Sequence, residues 1–162
     1  MEIRDAVPED WAQIWPILRG IVAAGETFTW PRDIGEADAR AIWMSGPPRR
    51  TFVAVEDGVL KGTAEVHPNQ MGPGAHVANA GFMVDPTATG RGVARALCAH
   101  VIEQARKDGY RAMQFNAVVE TNTRAVELWL AYGFEILATV PEAFDHPSQG
   151  YVGFHVMWRS LV

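Results

Sequence analysis

The chain has 162 residues, 48% hydrophobic and 20% charged, which suits one folded domain spanning residues 1–162 and excludes a disordered segment. Fourteen Lys+Arg against nineteen Asp+Glu leave a net charge of −5 and no basic stripe, so a nucleic-acid partner is not expected. No apolar run approaches the ~20 residues that cross a bilayer. Met1–Asp5 lacks a signal peptide's apolar core, and a lone Cys98 excludes both an internal disulfide and a cysteine-based zinc site, so a cytoplasmic protein is expected.

Pro8-Glu9-Asp10 opens a helical pattern in which Trp11, Ile14, Leu18 and Ile21/Val22 recur at three- and four-residue steps. The run from Gly25 to Pro31 breaks it, and a shorter helix is predicted near Glu36–Met44. Thr51–Glu56 and Val59–Val66, joined by Asp57-Gly58, predict a β-hairpin. His67–Gly74, rich in Pro and Gly, predicts a loop. Val77–Val84 reads as a strand buried on both faces, ended by Asp85-Pro86. After Gly90-Arg91-Gly92, a helix repeats apolar residues each turn from Val93/Ala94 to Ala105 and closes at Gly109. Tyr110–Val119 predicts a strand; Asn122 caps a helix that Gly133 ends; Phe134–Val140 and Tyr151–Trp158 are late strands. Phe144-Asp145-His146-Pro147 and Gly150-Tyr151 read as a kinked polar insertion between them, able to overhang a binding site or reach a second copy in a homodimer. Mixed elements with a strand–helix–strand–helix–strand unit predict an α+β (α/β) domain.

The strand–glycine turn–helix segment carries the chemistry. A helix start bears unpaired N–H groups and the positive end of the macrodipole, so it can hold phosphate. Small residues at Gly90, Gly92 and Ala94 let an anion approach the backbone, and Arg91 adds a cation. The alternative is that the glycines only make a tight connection. No Gly-Lys-Ser/Thr follows, and the spacing is not a dinucleotide fingerprint.

Thr89-Gly90-Arg91-Gly92-Val93-Ala94 resembles the acetyl-coenzyme-A loop of the GCN5-related N-acetyltransferases, Gln/Arg-x-x-Gly-x-Gly/Ala. Asn122-Thr123-Arg124-Ala125, Leu128-Trp129 and Gly133-Phe134 resemble that family's second motif. The likeness covers roughly Phe52–Phe134 and implies a mixed sheet, flanked by helices, in which Val77–Val84 and Arg111–Val119 splay so that pantetheine lies between them. It implies acetyl-CoA as co-substrate, bound by Phe82, Met83, Val84, Thr89, Gly90, Arg91, Gly92, Val93, Ala94, Asn122 and Trp129, with the N–H groups of Phe82–Val84 as oxyanion donors. Thr89 replaces the family's Gln or Arg. Trp129 stands where many members carry a Tyr that protonates the leaving thiolate.

Within the family, Asn79 and Asn116, six residues before Asn122, resemble two strand asparagines of fungal enzymes that acetylate proline analogues, where they contact the acceptor's carboxylate. The residues agree, because an amide in such an apolar run must find a partner; a backbone group at the sheet's break is the alternative. The implied reaction is acetyl transfer to the amine of a small molecule, an amino or imino acid. A silent acyl-CoA-binding module and a protein or peptide N-acetyltransferase are the competing readings. No Asp or Glu lies between His76 and Val84. The general base therefore stays open among Glu26, Glu65, His67 and Tyr132, with Glu65 equally readable as a solvated strand residue. Cys98 reads as core. His67 and His76 flank a Pro/Gly loop with no acidic or cysteine partner evident, so no metal is expected.

Overall fold

The structure, a computed structural model, describes all residues from Met1 to Val162. Seven strands form one sheet: β1 (Glu2–Asp5), β2 (Arg50–Glu56), β3 (Val59–Pro68), β4 (Val77–Val84), β5 (Ala112–Val119), β6 (Glu135–His146) and β7 (Gly150–Ser160), in the spatial order β1-β2-β3-β4-β5-β7-β6. Helices α1 (Trp11–Ala24), α2 (Glu36–Trp43), α3 (Val93–Lys107) and α4 (Thr123–Ala131) flank it, as the predicted α+β class requires. No helix is long and apolar enough to cross a membrane.

Strand alternation divides the core between the two faces of the sheet. Val53, Leu60 and Met83 meet Ile14, Leu18 and Val22 of α1 and Trp43 of α2. Their neighbours Phe52, Ala64 and Val66 meet Leu97, Cys98 and Val101 of α3 on the opposite face. Gly62 sets how close α3 can lie. A Cβ there would come within 2.9 Å of Val93 Cγ1 and 3.1 Å of Leu97 Cδ1. Asp57 and Gly58, with φ of 51° and 76°, supply the two left-handed positions of the tight β2–β3 turn.

Three elements depart from expectation. β1 is a strand that its short, charge-rich sequence does not announce; it pairs with β2 from Glu2↔Val55 to Asp5↔Phe52. β4 is not buried on both faces: only Ala78 and Met83 are, because the rest of the strand borders an opening in the sheet. The Phe144–His146 stretch is no insertion. It is the paired end of β6, from Phe144↔Val152 to His146↔Gly150. The irregularity falls earlier, between Val140 and Phe144, where Glu142 adopts φ 51°.

The opening lies between β4 and β5. They pair in parallel only at Val77↔Ala112 and Ala78↔Met113. Beyond that β5 stays with β7, through an irregularity between Phe115 and Val118 that frees Asn116 and Ala117 from the ladder.

Before α1, Arg4 grips Asp10 with two guanidinium nitrogens at 2.8 and 2.9 Å, and the Val7 N–H donates to the same carboxylate at 2.8 Å. The Arg4 hydrogen bond, opposed by desolvation and helped by Val7, holds the Asp10 carboxyl below the usual carboxylate range. The resulting stability is present above the ordinary carboxylate value and is lost as pH falls through the depressed native one. Asp10→Asn is expected to lower the urea-unfolding free energy by about 1–3 kcal/mol near neutrality. The difference from the parent should vanish in acid, below the native value.

Candidate active site

The loop from β4 to α3 is built for close approach to its backbone. Asp85 Oδ1 accepts from the Thr87 N–H and hydroxyl, both at 2.9 Å, and so fixes the turn after the strand. Gly90 and Gly92 take φ of 82° and 81°, with open space where a Cβ would stand. The first backbone bond into α3 runs from the Ala96 N–H to Gly92 O at 3.0 Å. The N–H groups of Gly92, Val93, Ala94 and Arg95 therefore have no partner in the chain.

Those donors face a groove of about 420 Å³ lined by Thr89, Gly90, Ala94, Arg95, Arg124 and Leu128, among others. Arg91, the cation singled out in the sequence, instead turns to Glu56 at 2.7 Å. Arg95 and Arg124 supply the positive charge at this groove. Arg91 precedes α3 whereas Arg95 lies in its first turn, and Arg124 arrives from α4, so local reading misses both.

A larger cavity of about 820 Å³ opens where β4 and β5 part, and Thr89, Ala94 and Arg124 border both hollows. Backbone parity decides which β4 donors reach it. The Asp85 N–H bonds to Lys61 O at 2.8 Å, so Asp85 and Met83 turn their amides to β3, while Phe82 and Val84 turn theirs to the gap. Met83 thus differs from its two neighbours: its N–H belongs to the β3 ladder and its side chain is 1% exposed. The Ala80 N–H also faces the gap but is taken by Asn79 Oδ1 at 2.8 Å. Phe82 is the first free donor along the opening.

Aromatic rings hold the gap apart. Trp129 lies 4.8 Å from Phe82 and 4.9 Å from Phe115, centroid to centroid, and Phe115 stacks on Phe134 at 4.4 Å. The Trp129 indole N–H has no acceptor within the chain and the ring lines the cavity. Asn122 caps α4, its Oδ1 accepting from the Ala125 N–H at 3.4 Å, and borders the same space.

Asn79 and Asn116 both line the cavity. Asn79 uses its oxygen on the backbone, the alternative weighed from sequence, and keeps its NH₂ free. Asn116 sits in a chain of amides: it accepts from Gln114 Nε2 at 3.0 Å and donates to Asn69 Oδ1 at 2.7 Å. Its second amide hydrogen stays available. Asn69, on the loop after β3, is a partner that no spacing reveals.

Of the base candidates, Glu26, Glu65 and His67 line the cavity. Tyr132 does not; its hydroxyl donates to Arg95 O at 3.0 Å. Glu65 is not solvated but 4% exposed, and it pairs with Arg49 at 2.6 Å and His67 at 2.7 Å. His67 therefore has an acidic partner after all. Arg49, which the sequence gives no reason to single out, lines the same wall beneath Trp30 and Trp43, themselves edge-to-face at 6.0 Å. No group of three or more His, Cys, Asp or Glu side chains is placed to hold a metal ion.

Cys98 is fully buried on the α3 stripe, and that burial pushes its thiol up to about 12. The native protein is expected to resist a thiol reagent at mildly alkaline pH, reacting stoichiometrically only once denaturant exposes the side chain; a colorimetric thiol titration with and without denaturant checks this.

Residues 13–134 match the model of the acetyltransferase (GNAT) family. The structure of a GCN5-related N-acetyltransferase from Kribbella flavida is 55% identical, with a TM-score of 0.95 over 98% of this chain and 96% of that one. N-acetyltransferase aca1 of Schizosaccharomyces pombe is 30% identical over 98 residues, 60% of this chain, and the match spans 47% of that longer relative. A phosphinothricin acetyltransferase from Sinorhizobium meliloti, solved in complex with acetyl-CoA, shares the fold at 22% identity, with a TM-score of 0.87 over 98% of this chain and 87% of that one.

Proposed function

Because the chain belongs to the acetyltransferase (GNAT) family, we propose that it moves the acetyl group of acetyl-CoA onto the amine of a small molecule, with an amino or imino acid as acceptor. The observation that carries this reading is the continuity of two hollows. A groove floored by free helix N–H groups runs into a cavity walled by strand donors and by Arg49, Asn79 and Asn116.

The groove fits a diphosphate. Four unpartnered amides, Gly92 to Arg95, converge on it, the glycines leave their approach unobstructed, and Arg95 and Arg124 add charge. Bonds to a charged acceptor contribute about 1.5–3 kcal/mol each, so a few of them suffice for anchoring. When bound, the co-substrate supplies an activated acetyl thioester. The free N–H groups of Phe82 and Val84 face the gap, where they can receive the negative charge that builds on a carbonyl oxygen under attack. Trp129, packed on Phe82 and Phe115, gives the gap an apolar wall.

The acceptor end suits a compact zwitterion. Asn79 and Asn116 each keep an amide donor for a carboxylate, and Arg49 has N–H groups beyond the one that meets Glu65. Phe28, Trp30 and Trp43 offer apolar walls for a small side chain or ring. The aromatic wall of Phe28, Trp30 and Trp43 at this end supports a small acceptor over a protein terminus.

Thiol release from acetyl-CoA against a panel of free amino and imino acids tests the reading, with turnover of at least one expected. Cofactor binding without turnover on any of them would support the silent binding module instead. Gly92→Glu is expected to abolish acetyl-CoA binding in calorimetry, while Gly92→Ala, which bears the same backbone strain without the charge, should lose far less. Unchanged affinity in Gly92→Glu would remove the diphosphate from this turn. Asn116→Ala is expected to raise the acceptor KM roughly tenfold or more, the worth of one bond to a charged group, with the KM for acetyl-CoA unmoved. Steady-state kinetics with each substrate varied in turn reads the difference.

A further inference from the structure

Three side chains at the acceptor end of the cavity are joined through one buried carboxylate. Glu65 Oε2 meets Arg49 Nη1 at 2.6 Å and His67 Nδ1 at 2.7 Å, and the residue is only 4% exposed. The β3–β4 register sets Glu65 opposite Gly81 and His67 opposite Asn79, so residues 65 and 67 project from one face of the sheet, the face that carries Met83. The absence of a side chain at Gly81 makes the seat for the carboxylate. A Cβ there would stand 3.1 Å from Glu65 Oε1 and 3.3 Å from the Trp43 ring.

This contact assigns the proton to one ring nitrogen of His67. An ionised carboxylate only accepts hydrogen bonds, so Nδ1 must donate to Glu65, and the neutral ring then bears its lone pair on Nε2. Nε2 has no partner in the chain, and the half-buried ring lines the cavity. Glu26, from the loop after α1, and Arg124, from α4, are the other titratable groups on the cavity wall besides Arg49 and Glu65. Neither is bonded to His67. Across the strand pair His67 faces neutral Asn79.

We infer that His67 Nε2 is the general base that takes the proton from the acceptor amine, with Glu65 as its positioning residue and Arg49 holding Glu65 in place. The inference rests on the acetyl-transfer reading. Nε2 first takes a proton from the acceptor ammonium, which frees the nitrogen lone pair. That pair forms the C–N bond to the thioester carbonyl carbon, and the C–S bond breaks with its electron pair leaving on sulfur; the surplus proton on the acylated nitrogen and the proton on the imidazolium both pass to water. The proton acceptor thereby comes from β3, one strand over from the β4 donors, with its carboxylate acting through an imidazole.

The test uses the full chain and the acceptor that the amine panel identifies. His67→Gln is expected to lower kcat about 10²–10³-fold near neutral pH, with acetyl-CoA affinity by calorimetry unchanged. The acidic limb of its kcat/KM profile should disappear, and the deficit should shrink as pH rises toward the range where the amine loses its own proton. Added imidazole should restore part of the activity of His67→Ala. Nitrogen NMR of the unliganded protein should find the neutral His67 ring protonated on Nδ1, and Glu65→Gln should abolish that preference. Parent-like kcat and pH profile in His67→Gln, a comparable loss in Glu26→Gln instead, or a parent ring protonated on Nε2 would each overturn the role given to His67. Failure of the parent to acetylate any amine overturns the acetyl-transfer reading, and His67's role falls with it.

Discussion

A parallel strand pair that ends after Val77↔Ala112 and Ala78↔Met113 leaves backbone donors and acceptors unsatisfied in the middle of a sheet, where they would otherwise be laddered. The protein maintains this opening by several means at once. Phe82, Phe115 and Trp129 wedge into it, the irregularity between Phe115 and Val118 bends β5 toward β7, and Asn79 satisfies the first orphaned amide at Ala80. Free backbone donors are thereby confined to a short stretch. Upstream of Phe82 the amides are bonded, at Met83 the amide belongs to β3, and only Phe82 and Val84 present N–H groups to a ligand between the strands. The opening also connects the two hollows, so a ligand held by its phosphates at α3 can place its far end against the acceptor wall.

Features that depend on neighbouring residues were legible in the sequence. The α3 stripe from Val93 to Ala105, the Asp57-Gly58 turn and the glycine pair before α3 each follow from periodicity or from left-handed backbone needs, and the two motifs on either side of β5 resemble one family in order. Features that depend on what lies across the sheet were not. In β3 the alternation Thr63, Glu65, His67 looks the same whether that face meets water or a polar cavity. Only the return of Trp30 and Trp43 over the strand makes it a cavity wall. Arg49 and Asn69 gain their roles from partners sixteen and forty-seven residues away, through Glu65 and Asn116. Arg91 illustrates the opposite error: it is the cation nearest the glycines in sequence, yet Glu56 holds it outside the groove.

A buried ion pair is weak evidence of stabilisation, since desolvating both charges offsets most of their attraction, and an apolar pair of similar volume does as well or better. Glu65 and Arg49 therefore need another explanation than holding the sheet together. Their position supplies one, because the pair forms part of a cavity wall instead of the apolar core and leaves the histidine nitrogen toward the ligand space.

The two proton movements of the proposed reaction make unequal demands, and the site is built unequally to match. At the thiol end a leaving group with pKa near 8.5 can depart as the anion, so a proton donor there is dispensable. In the proposed reaction Trp129, which lines the cavity, stands at that end, and an indole N–H donates a hydrogen bond without giving up its proton. At the amine end an ordinary amine with pKa near 10 is deprotonated about one part in a thousand at neutrality, a deficit of roughly 4 kcal/mol that must be offset before the nitrogen can attack. Ionisable groups gather accordingly: Arg49, Glu65 and His67 stand together on the acceptor wall, while the thiol end is lined by aromatic rings. A tryptophan at position 129, where the resemblance implies a tyrosine, thus leaves out a proton source at the end of the proposed reaction that can do without one, provided the acceptor wall keeps its base.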